Sequence, residues 1–491
     1  MGFAEHIDWV DAARWSGTAF DGGWTTPLAS HQDVLEPATG QPLWRTGVAN
    51  AADMGAAIER AHAAQAAWAA TSPRDRATIL LKAAALFQQH FDELALLIAR
   101  ETGGILPKGQ HEVREAVVLC QLAAALPMQS QGQVLPSTPG RLSIARRVPH
   151  GVVGIISPFN FPLILSLRSV APALALGNAV VLKPDVRTPA SGGFLLARVF
   201  QEAGLPAGVL QVLPGNAEAG EALVTDPRVP MIAFTGSPGV GRRIGELAGR
   251  HLKKVSLELG GANNLVILED ADLDAAASAA AFGAWFHQGQ ICMASNRVLV
   301  HASVAEGLKA RLVGKATHLP VGDGASGRVA LGPMIDARQL ARFDALVQDT
   351  VQQGATLEAG GTFEGLCYKP TVLSGVRPGM RSFDEEPFGP LVNLVTFHTD
   401  DEAVALANDS QGGLSAAVIS RDVGRAMALG ERLNAGMVHI NDQTVNDDCT
   451  NPFGGPGLGG NGSAVGGPAD IDEYTRWKWV TVKASVPPFP F

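Results

Sequence analysis

The sequence lacks the features that mark membrane-spanning, nucleic-acid-binding and disulfide-rich proteins. It has no apolar stretch of ~18 residues or more, the length that a spanning helix requires. It has no run of basic residues, and 38 basic against 47 acidic side chains leave a net charge of −9, which argues against nucleic-acid and membrane partners. Its four cysteines show no short paired spacing, so a disulfide framework and a zinc ribbon are not expected, and no metal site is predicted.

The scarcity of cysteine is also typical of a reducing compartment, and we expect a cytoplasmic protein. The segment Met1–His6 lacks the basic start and apolar block of a secretion signal, and His6 argues against myristoylation. The 491 residues suggest about three structural units, at roughly 150 residues per domain. With 46% hydrophobic and 17% charged residues, the chain can bury a large core.

Short β-branched runs alternate with helical segments, which predicts an α/β fold. Residues 51–125 are rich in alanine with helical periodicity, in blocks that include Met54–Ala70 and Arg76–Glu101. After residue 151, strands separated by helices of ~10–15 residues predict crossover units and a parallel sheet. The strand candidates are Val152–Ile156, Ala179–Leu182, Val209–Leu213, Met231–Phe234, Val255–Leu257, Val298–His301, Leu391–Phe397 and Ser415–Ile419.

Two further segments are predicted to form strands outside these units. Residues 131–149 alternate in polarity on both sides of Pro136–Gly140, a pattern that predicts a hairpin with its turn at that point. Arg476–Ala484 alternates in the same way near the C-terminus. Open strand edges of this kind are commonly covered by another element or by another subunit.

Three motifs each place one reactive or hydrogen-bonding side chain among small or apolar neighbours. They are Pro158–Pro162, Leu257–Gly261 and Gly289–Met293. Together they supply a thiol (Cys292), a carboxylate (Glu258) and an amide (Asn160), which is the set needed to carry a carbonyl carbon through a covalent thiol adduct.

Each of these three residues also has an ordinary structural interpretation when taken alone. A single cysteine is more often buried and inert than reactive, as we expect for Cys120 in its apolar run. Glu258, at a strand end beside two glycines, is either a solvated residue or a base with a raised pKa in a dry cleft. Asn160, between two prolines, is either a turn residue or a rigidly held oxyanion donor. The combination of the three favours catalysis.

A glycine loop between a strand and a helix suggests a site for a phosphate group. Phe234–Gly241 follows a β run and precedes the helical segment Arg242–Gly249, so that backbone N–H groups and the helix dipole would face an anion. The spacing is G-x-x-G-x-G rather than the dinucleotide fingerprint G-x-G-x-x-G, and alone it is weak. Lys183 stands at the end of another predicted strand, where ligands bind in open α/β sheets.

These motifs, in this order, resemble the aldehyde dehydrogenase superfamily. The resemblance runs from about Thr39 to the C-terminus and includes the motif Glu385–Pro390. The stretches Ser157–Gly193 and Val438–Thr444 look most like the benzaldehyde dehydrogenase branch.

The resemblance implies an α/β fold with a Rossmann-like cofactor domain, a catalytic α/β domain and a bridging oligomerisation sheet. The expected divisions are residues 1–127 and 150–257 for the NAD(P)-binding domain and 258–452 for the catalytic domain. Residues 128–149 and 470–491 would supply the oligomerisation strands of a homodimer or homotetramer. The expected cofactor is NAD, with NADP possible.

The resemblance also assigns roles to individual residues. Cys292 would be the nucleophile, Glu258 the general base, and Asn160 with the Cys292 backbone N–H the oxyanion hole. Lys183 would hold the adenosine ribose and Glu386 the nicotinamide ribose. The full set of expected cofactor-binding residues is Ile156, Ser157, Phe159, Lys183, Asp185, Gly215, Gly220, Phe234, Thr235, Gly236, Ser237, Val240, Gly241, Leu259, Gly260, Glu386 and Phe388.

Two departures from the family pattern limit what the resemblance implies. Many NAD-preferring relatives carry Glu three residues after the lysine, where this chain has Val186, and that leaves NADP use open. A second glutamate near the base, found in some relatives, is matched here by Ala464, so no proton relay is assumed at that position.

The expected substrate is an aromatic aldehyde, because the residues beside the motifs are apolar. The expected pocket residues are Phe161, Leu165, Trp285, Ile291, Met293 and Phe453. Arg168, in the same stretch, could instead attract a carboxylated substrate. The alternatives left open are an aliphatic aldehyde or semialdehyde dehydrogenase, a CoA-acylating dehydrogenase, and a catalytically silent protein on this fold.

Overall fold

Two large sheets form the body of the protein in the computed structural model, which describes residues 15–25, 30–409 and 412–491. The expectations about Met1–His6 fall outside the described residues. Within the described ranges, no helix has both the length and the apolar character that crossing a membrane would need.

Helices cover both large sheets and supply their crossovers. In chain order they are α1 Ala51–Ala70, α2 Pro73–Gln89, α3 Phe91–Thr102, α4 Leu106–Ala125, α5 Pro162–Ala175, α6 Leu195–Ala203, α7 Ala217–Thr225, α8 Pro238–Arg250, α9 Leu273–Trp285, α10 Ala305–His318, α11 Ala337–Gln352, α12 Arg381–Asp384, α13 Asp400–Asn408, α14 Val423–Gly430 and α15 Ala469–Tyr474.

The strands alternate with these helices over most of the chain. In chain order they are β1 Ala19–Phe20, β2 Trp24–Thr25, β3 Ser30–Leu35, β4 Pro42–Val48, β5 Gly132–Val134, β6 Arg141–Pro149, β7 Val152–Ile156, β8 Ala179–Lys183, β9 Leu210–Val212, β10 Met231–Gly236, β11 Lys254–Leu259, β12 Asn264–Ile267, β13 Arg297–His301, β14 Thr356–Ala359, β15 Phe363–Glu364, β16 Cys367–Tyr368, β17 Thr371–Ser374, β18 Leu391–Phe397, β19 Gly413–Ile419, β20 Ala435–Ile440 and β21 Thr475–Lys483.

The first large sheet has the order β11-β10-β7-β8-β9-β1-β2. Strands β7 to β11 are parallel, whereas β1 is antiparallel to both of its neighbours. Its central strand β7 is buried at every position, because helices cover both faces of a parallel sheet and β-branched side chains fill both. The second large sheet has the order β14-β17-β18-β13-β12-β19-β20 and is parallel except for β14.

The hairpin and the tail join in one small antiparallel sheet with the order β21-β6-β5. Strand β21 pairs with β6 along nine residues, from Thr475↔Pro149 to Lys483↔Arg141. The two predicted segments therefore cover each other. Most of β21 remains exposed to solvent.

The fold class predicted from the sequence is confirmed, with differences at some element boundaries. The expected helical block Arg76–Glu101 is divided into α2 and α3, because the chain leaves helical geometry at His90 (φ −102°, ψ 24°). Strand β12 was not predicted: its four residues form a short buried apolar run that periodicity cannot assign to strand or helix.

The glycine-rich loop after residue 453 covers the free edge of β11. The Leu259 N–H donates to the Gly459 carbonyl at 3.0 Å, and Glu258 forms a β-bridge with Gly460. Asn461 adds two bonds, accepting from the Leu257 N–H and donating to the Val255 carbonyl. A Cβ on Gly460 would lie 2.4 Å from the Leu257 carbonyl oxygen. Glycine is required there because the loop approaches the strand so closely.

Candidate active site

A cavity of about 1330 Å³ lies where the carboxyl ends of the first sheet's strands open, and the three predicted reactive residues all line it. Asn160 comes from the loop after β7, Glu258 from β11, and Cys292 from the loop after α9. The structure therefore brings together three motifs that are separated by up to 132 residues in the sequence.

The loop that carries Cys292 has an unusual backbone. After α9 ends, His287 and Gln288 adopt positive φ angles of 48° and 57°, which cost about 1–2 kcal/mol per non-glycine residue and persist only where surrounding contacts impose them. Gly289 packs so tightly that a Cβ would lie 2.1 Å from the Gly389 carbonyl oxygen. The Asn263 side-chain amide then donates to the Cys292 carbonyl at 2.7 Å. These contacts fix the position of the thiol.

The Cys292 side chain is half-buried at the cavity wall. Burial raises the pKa of its thiol above the ordinary value, and the carboxylates of Glu386, Asp447 and Glu258 raise it further, while Arg168 opposes them. The protein groups around Cys292 thus favour the neutral thiol. A nucleophilic thiolate requires a base or an added positive charge beside it.

Glu258 is a buried carboxyl group without a hydrogen-bond partner for either oxygen among the described residues. Burial raises its pKa well above the ordinary value, the Arg168 guanidinium lowers it, and Glu473 and Asp447 raise it. A carboxylate whose pKa is shifted toward neutrality is a better proton acceptor for water than an exposed one.

Asn160 is held between the cysteine loop and the start of α5. Its Nδ2 donates to the Gln290 carbonyl at 2.9 Å. The Glu112 carboxylate accepts from the Leu163 and Ile164 N–H groups at 3.0 and 3.3 Å, which fixes the first turn of α5. A side-chain amide has two N–H donors, so the second remains for an oxygen in the cavity.

The cofactor half of the cavity has the anion site that the glycine loop predicted. Strand β10 ends at Gly236 and α8 begins at Pro238, and the Ser237 side chain at the N-cap makes no capping bond. Its hydroxyl and the first N–H groups of α8 are therefore free for a phosphate. Gly241 instead packs on Leu259, whose Cδ2 would lie 2.5 Å from an added Cβ.

Lys183 projects into the cavity from the end of β8. Its Nζ donates to the Gly215 carbonyl at 2.7 Å, and burial lowers the pKa of its ammonium group. Asp185 is engaged by Arg187, which binds both carboxylate oxygens at 2.8 Å, contacts Asp336 at 2.8 Å and stacks on the Phe159 ring at 4.0 Å.

Glu386 enters the cavity from the opposite side. Its carboxylate lies on Gly260, where an added Cβ would lie 2.2 Å from Oε1. Burial raises the pKa of Glu386 to about 7, while Arg342 and the Gly261 N–H oppose the shift. Its Oε1 has no hydrogen-bond partner among the described residues. Beside it, the Phe388 ring meets the Phe159 ring edge-on at 5.9 Å.

Most of the expected cofactor-binding residues line this cavity. They are Ile156, Ser157, Phe159, Lys183, Asp185, Gly215, Gly220, Phe234, Thr235, Gly236, Ser237, Val240, Gly260, Glu386 and Phe388. Gly241 and Leu259 lie behind its wall, in contact with each other. Sequence reasoning missed Asp336 and Arg342, which belong to no motif and reach the cavity only through the folding of the second half of the chain.

A second cavity of about 400 Å³ shares Asn160, Leu165 and Cys292 with the first. The expected residues on its wall are Phe161, Leu165, Ile291, Met293 and Phe453. The further lining residues that sequence reasoning missed are His111, Ile164, Phe282, Phe286, Gln443, Val445, Asn446 and Asp447.

The expectation for Trp285 was wrong as to its position. Its side chain is only 1% exposed and packs in the core between α9 and the second sheet. Phe282 and Phe286 of the same segment line the cavity instead, with their rings stacked at 4.9 Å. Phe282 and Trp285 are three residues apart, so helical periodicity places them as neighbours, and only the fold reveals which of the two meets the cavity.

Arg168 does not offer a free positive charge to a substrate. Its guanidinium pairs with Asp447 at 2.6 Å and lies 4.5 Å from the centre of the Phe453 ring. The side chain is 2% exposed. Asp447 thus balances the charge of Arg168. The guanidinium also lowers the pKa values of Glu258 and Cys292, which opposes the effect of burial on both groups.

Comparison with known proteins identifies the family of the chain. The model of the aldehyde dehydrogenase family matches residues 24–480. The chain is 52% identical to a vanillin dehydrogenase from Amycolatopsis sp. over 99% of its length and 100% of that protein. It is 46% identical to a benzaldehyde dehydrogenase [NAD(+)] from Pseudomonas putida over 97% of its length and 98% of that protein.

A solved structure gives the same result for the fold. The crystal structure of a salicylaldehyde dehydrogenase from Pseudomonas putida G7, complexed with salicylaldehyde, matches with a TM-score of 0.93 at 34% identity, covering 97% of this chain and 99% of that one. The chain belongs to the aldehyde dehydrogenase family. It is an enzyme that oxidises aldehydes, and the resemblance inferred from the motifs is confirmed.

Proposed function

We propose that this enzyme oxidises aromatic aldehydes to carboxylic acids with NAD, through a covalent adduct on Cys292. The observation that carries the proposal is the cavity of about 400 Å³, which meets the larger one at Cys292 and Asn160. Phenylalanine side chains dominate its wall, and such surfaces favour a planar apolar ring. The names of the vanillin, benzaldehyde and salicylaldehyde dehydrogenases support the same substrate class.

In the first step, the Cys292 thiolate attacks the aldehyde carbon. The carbonyl oxygen gains the negative charge, and the Asn160 amide with the Cys292 backbone N–H donates to it. Loss of one such donor typically costs about 10²–10³ in rate. The apolar phenylalanine wall lowers the local polarity and so strengthens these hydrogen bonds.

The residues of the larger cavity fit a dinucleotide. Ser237 and the start of α8 would bind the pyrophosphate and Lys183 the adenosine ribose. The Glu386 Oε1, which has no hydrogen-bond partner among the described residues, would bind the other ribose. When bound, the oxidised nicotinamide accepts the hydride that converts the adduct on Cys292 to a thioester. Phe388 and Phe159 wall the cavity beside Glu386.

In the last step, Glu258 accepts a proton from water, which attacks the thioester carbon. The C–S bond breaks, the carboxylic acid leaves, and Cys292 regains its thiolate. The raised pKa of Glu258 suits this role, since the carboxylate is a stronger base than an exposed one. A base at this position also argues against the CoA-acylating alternative, where a thiol takes the acyl group.

We propose NAD as the preferred cofactor, with NADP tolerated. Val186 supplies no carboxylate to repel a 2′-phosphate. Arg187, however, is bound by Asp185 and Asp336, so its charge is already matched. The benzaldehyde dehydrogenase of Pseudomonas putida is named for NAD(+).

A panel of benzaldehyde, hexanal and succinic semialdehyde, assayed with each cofactor, tests these assignments. We expect the highest kcat/KM for benzaldehyde with NAD, because the ring fills the aromatic cavity. Succinic semialdehyde as best substrate would refute the aromatic proposal. An NADP preference above about a hundredfold, equivalent to ~2.7 kcal/mol, would refute the cofactor assignment.

The division into functional regions is also a proposal. Residues 1–127 and 150–257 would bind the cofactor, 258–452 would carry the catalytic cysteine, and 128–149 with 470–491 would join subunits into a homodimer or homotetramer. The exposed indole rings of Trp477 and Trp479 on β21 support this last assignment. A cytoplasmic location is proposed on the free thiols of the four cysteines.

A further inference from the structure

Each deacylation leaves a proton on Glu258, and that proton has to reach solvent before the next turnover. Glu258 is 5% exposed and sits at the inner end of β11. Position 464, in the glycine-rich loop beside β11, is alanine, so that residue cannot accept the proton.

A row of polar side chains runs along one face of β11 away from the cavity. Alternate residues of a strand share a face, which places Lys254, Ser256 and Glu258 in line. The other face of β11 is apolar, with Val255, Leu257 and Leu259 packed in the core. A polar row of this kind at a buried strand edge requires partners from another element.

The tail supplies that partner in Glu473, at the end of α15. Its carboxylate lies 3.2 Å from the Lys254 Nζ and beside the Ser256 side chain, whose hydroxyl has no hydrogen-bond partner among the described residues. The charge of Glu473 also acts on Glu258 and raises its pKa. Glu473 is 7% exposed, and its Oε1 has no hydrogen-bond partner within the described part of the chain.

The two carboxyl groups both have a raised pKa. Burial is the main cause of the raised pKa at both Glu258 and Glu473, and at Glu473 the Lys254 ammonium opposes that effect. Lys254 is the outermost member of the row, with about a third of its side chain (32%) exposed. It can stabilise the ionised form of Glu473 and connects the row with solvent.

We propose that Glu473 receives the deacylation proton from Glu258 and releases it to solvent beside Lys254. This proposal rests on the proposed role of Glu258 as the base. In balance, water gives its hydroxyl to the acyl carbon and its proton to Glu258, while the C–S electron pair returns to Cys292. Glu258 then passes that proton past Ser256 to ionised Glu473. Glu473 touches no reacting atom and acts through Glu258.

The test compares Glu473→Gln and Glu473→Asp with Asp472→Asn, the neighbouring exposed carboxylate. The readouts are the rate of the first-turnover burst of reduced cofactor, the steady-state kcat, the solvent isotope effect on kcat, and Tm. For Glu473→Gln we expect an unchanged burst, a kcat lowered about fivefold or more and a larger isotope effect, because proton release becomes slow. Glu473→Asp should recover part of the rate, and Asp472→Asn should match the parent enzyme.

Unchanged kcat and isotope effect in Glu473→Gln would overturn the proposal. A joint decrease in the burst rate, kcat and Tm would also overturn the proposal, because a residue with a purely structural role would give that result. If Glu473→Gln does not fold, Ser256→Ala carries the test with the same expected and contrary outcomes. Glu258→Gln separates the two proposals. Normal turnover in Glu258→Gln would refute the role of Glu258 as the base. Slow deacylation in Glu258→Gln together with normal turnover in Glu473→Gln would refute only the proton route through Glu473.

Discussion

At the scale of single residues, the chemistry of this site depends on charges held in a dry cavity. Cys292, Glu258 and Glu386 are each surrounded by protein that raises the pKa of the group. Burial thus favours the neutral form of each group in the free protein. Their charged forms are the reactive or ligand-binding ones, so activity at each depends on pH.

Glu386 gives a prediction with a definite pH range. Its pKa of about 7 means that the carboxylate is ionised above that pH and protonated below it. Because the ionised form is the stronger acceptor for a ribose hydroxyl, kcat/KM for NAD should decline below about pH 7, with a limiting slope near one decade per pH unit. A pH profile of kcat/KM measures this.

The control for that profile is Glu386→Gln, which keeps the shape of the side chain but does not titrate. It should show a lower kcat/KM for NAD without the decline that Glu386 causes. If Glu386→Gln shows the same decline below pH 7, the ionisation of another group causes that decline.

The reactive residues were the part of the site that could be predicted best from the sequence. Cys292, Glu258 and Asn160 each stand in a short motif, and their local surroundings of glycine, proline and apolar residues were readable without the fold. Phe282, Asp447 and Glu473 carry no such local signal. Phe282 stands on the helix that leads to Cys292, and Asp447 and Glu473 reach the site from remote segments. Their positions follow from packing of helices and from the course of the tail, which periodicity does not specify.

At the scale of elements, the edge of β11 is the critical feature. The strand that ends in Glu258 is last in its sheet, and the glycine-rich loop supplies the hydrogen bonds that a further strand would have given. The segment after residue 453 is dense in glycine, but the sequence does not show which strand it meets. A loop has no periodic side-chain pattern, so its register against a strand cannot be predicted until that strand is known.

Gly460→Ala tests that loop. The added methyl group would lie 2.4 Å from the Leu257 carbonyl oxygen and 2.8 Å from that of Gly455, so the loop has to move away from β11. We expect kcat to fall on the order of tenfold or more, because small displacements of catalytic groups are costly. Steady-state kinetics and Tm together measure the effect.

Gly462→Ala is the matched control, since its φ of 82° imposes backbone strain while nothing lies within 4 Å of the added Cβ. It should cost stability of roughly 1 kcal/mol with little change in kcat. Equal loss of activity in both variants would show that loop strain, and not contact with β11, is responsible.

At the scale of the whole molecule, the small sheet of β5, β6 and β21 leaves most of β21 exposed, whereas helices cover the two large sheets. Trp477 and Trp479 lie on the same face of β21 and are 50% and 64% exposed. Large aromatic side chains left open on a sheet are typical of a protein–protein interface. The resemblance predicted subunit contacts through this sheet, and its pairing of hairpin with tail fits that expectation.

The double variant Trp477→Glu/Trp479→Glu should shift the oligomer toward smaller species in sedimentation velocity. Burying two carboxylates in an apolar contact is costly, and a stable interface of about 1,200–2,000 Å² cannot accommodate them without loss of affinity. Val423→Glu, which replaces a 50% exposed apolar residue on α14, is the control and should keep the parental size. An unchanged size in the double variant would exclude this face as an interface.

The whole account depends on an acyl group that is carried by Cys292 and released by Glu258. Rapid mixing of Glu258→Gln with benzaldehyde and NAD, followed by mass analysis of the quenched protein, measures both at once. We predict a burst of about one reduced cofactor per site, slow turnover afterwards, and a benzoyl group on the peptide that contains Cys292. Full steady turnover without a burst, or an acyl group on any other residue, would contradict the account.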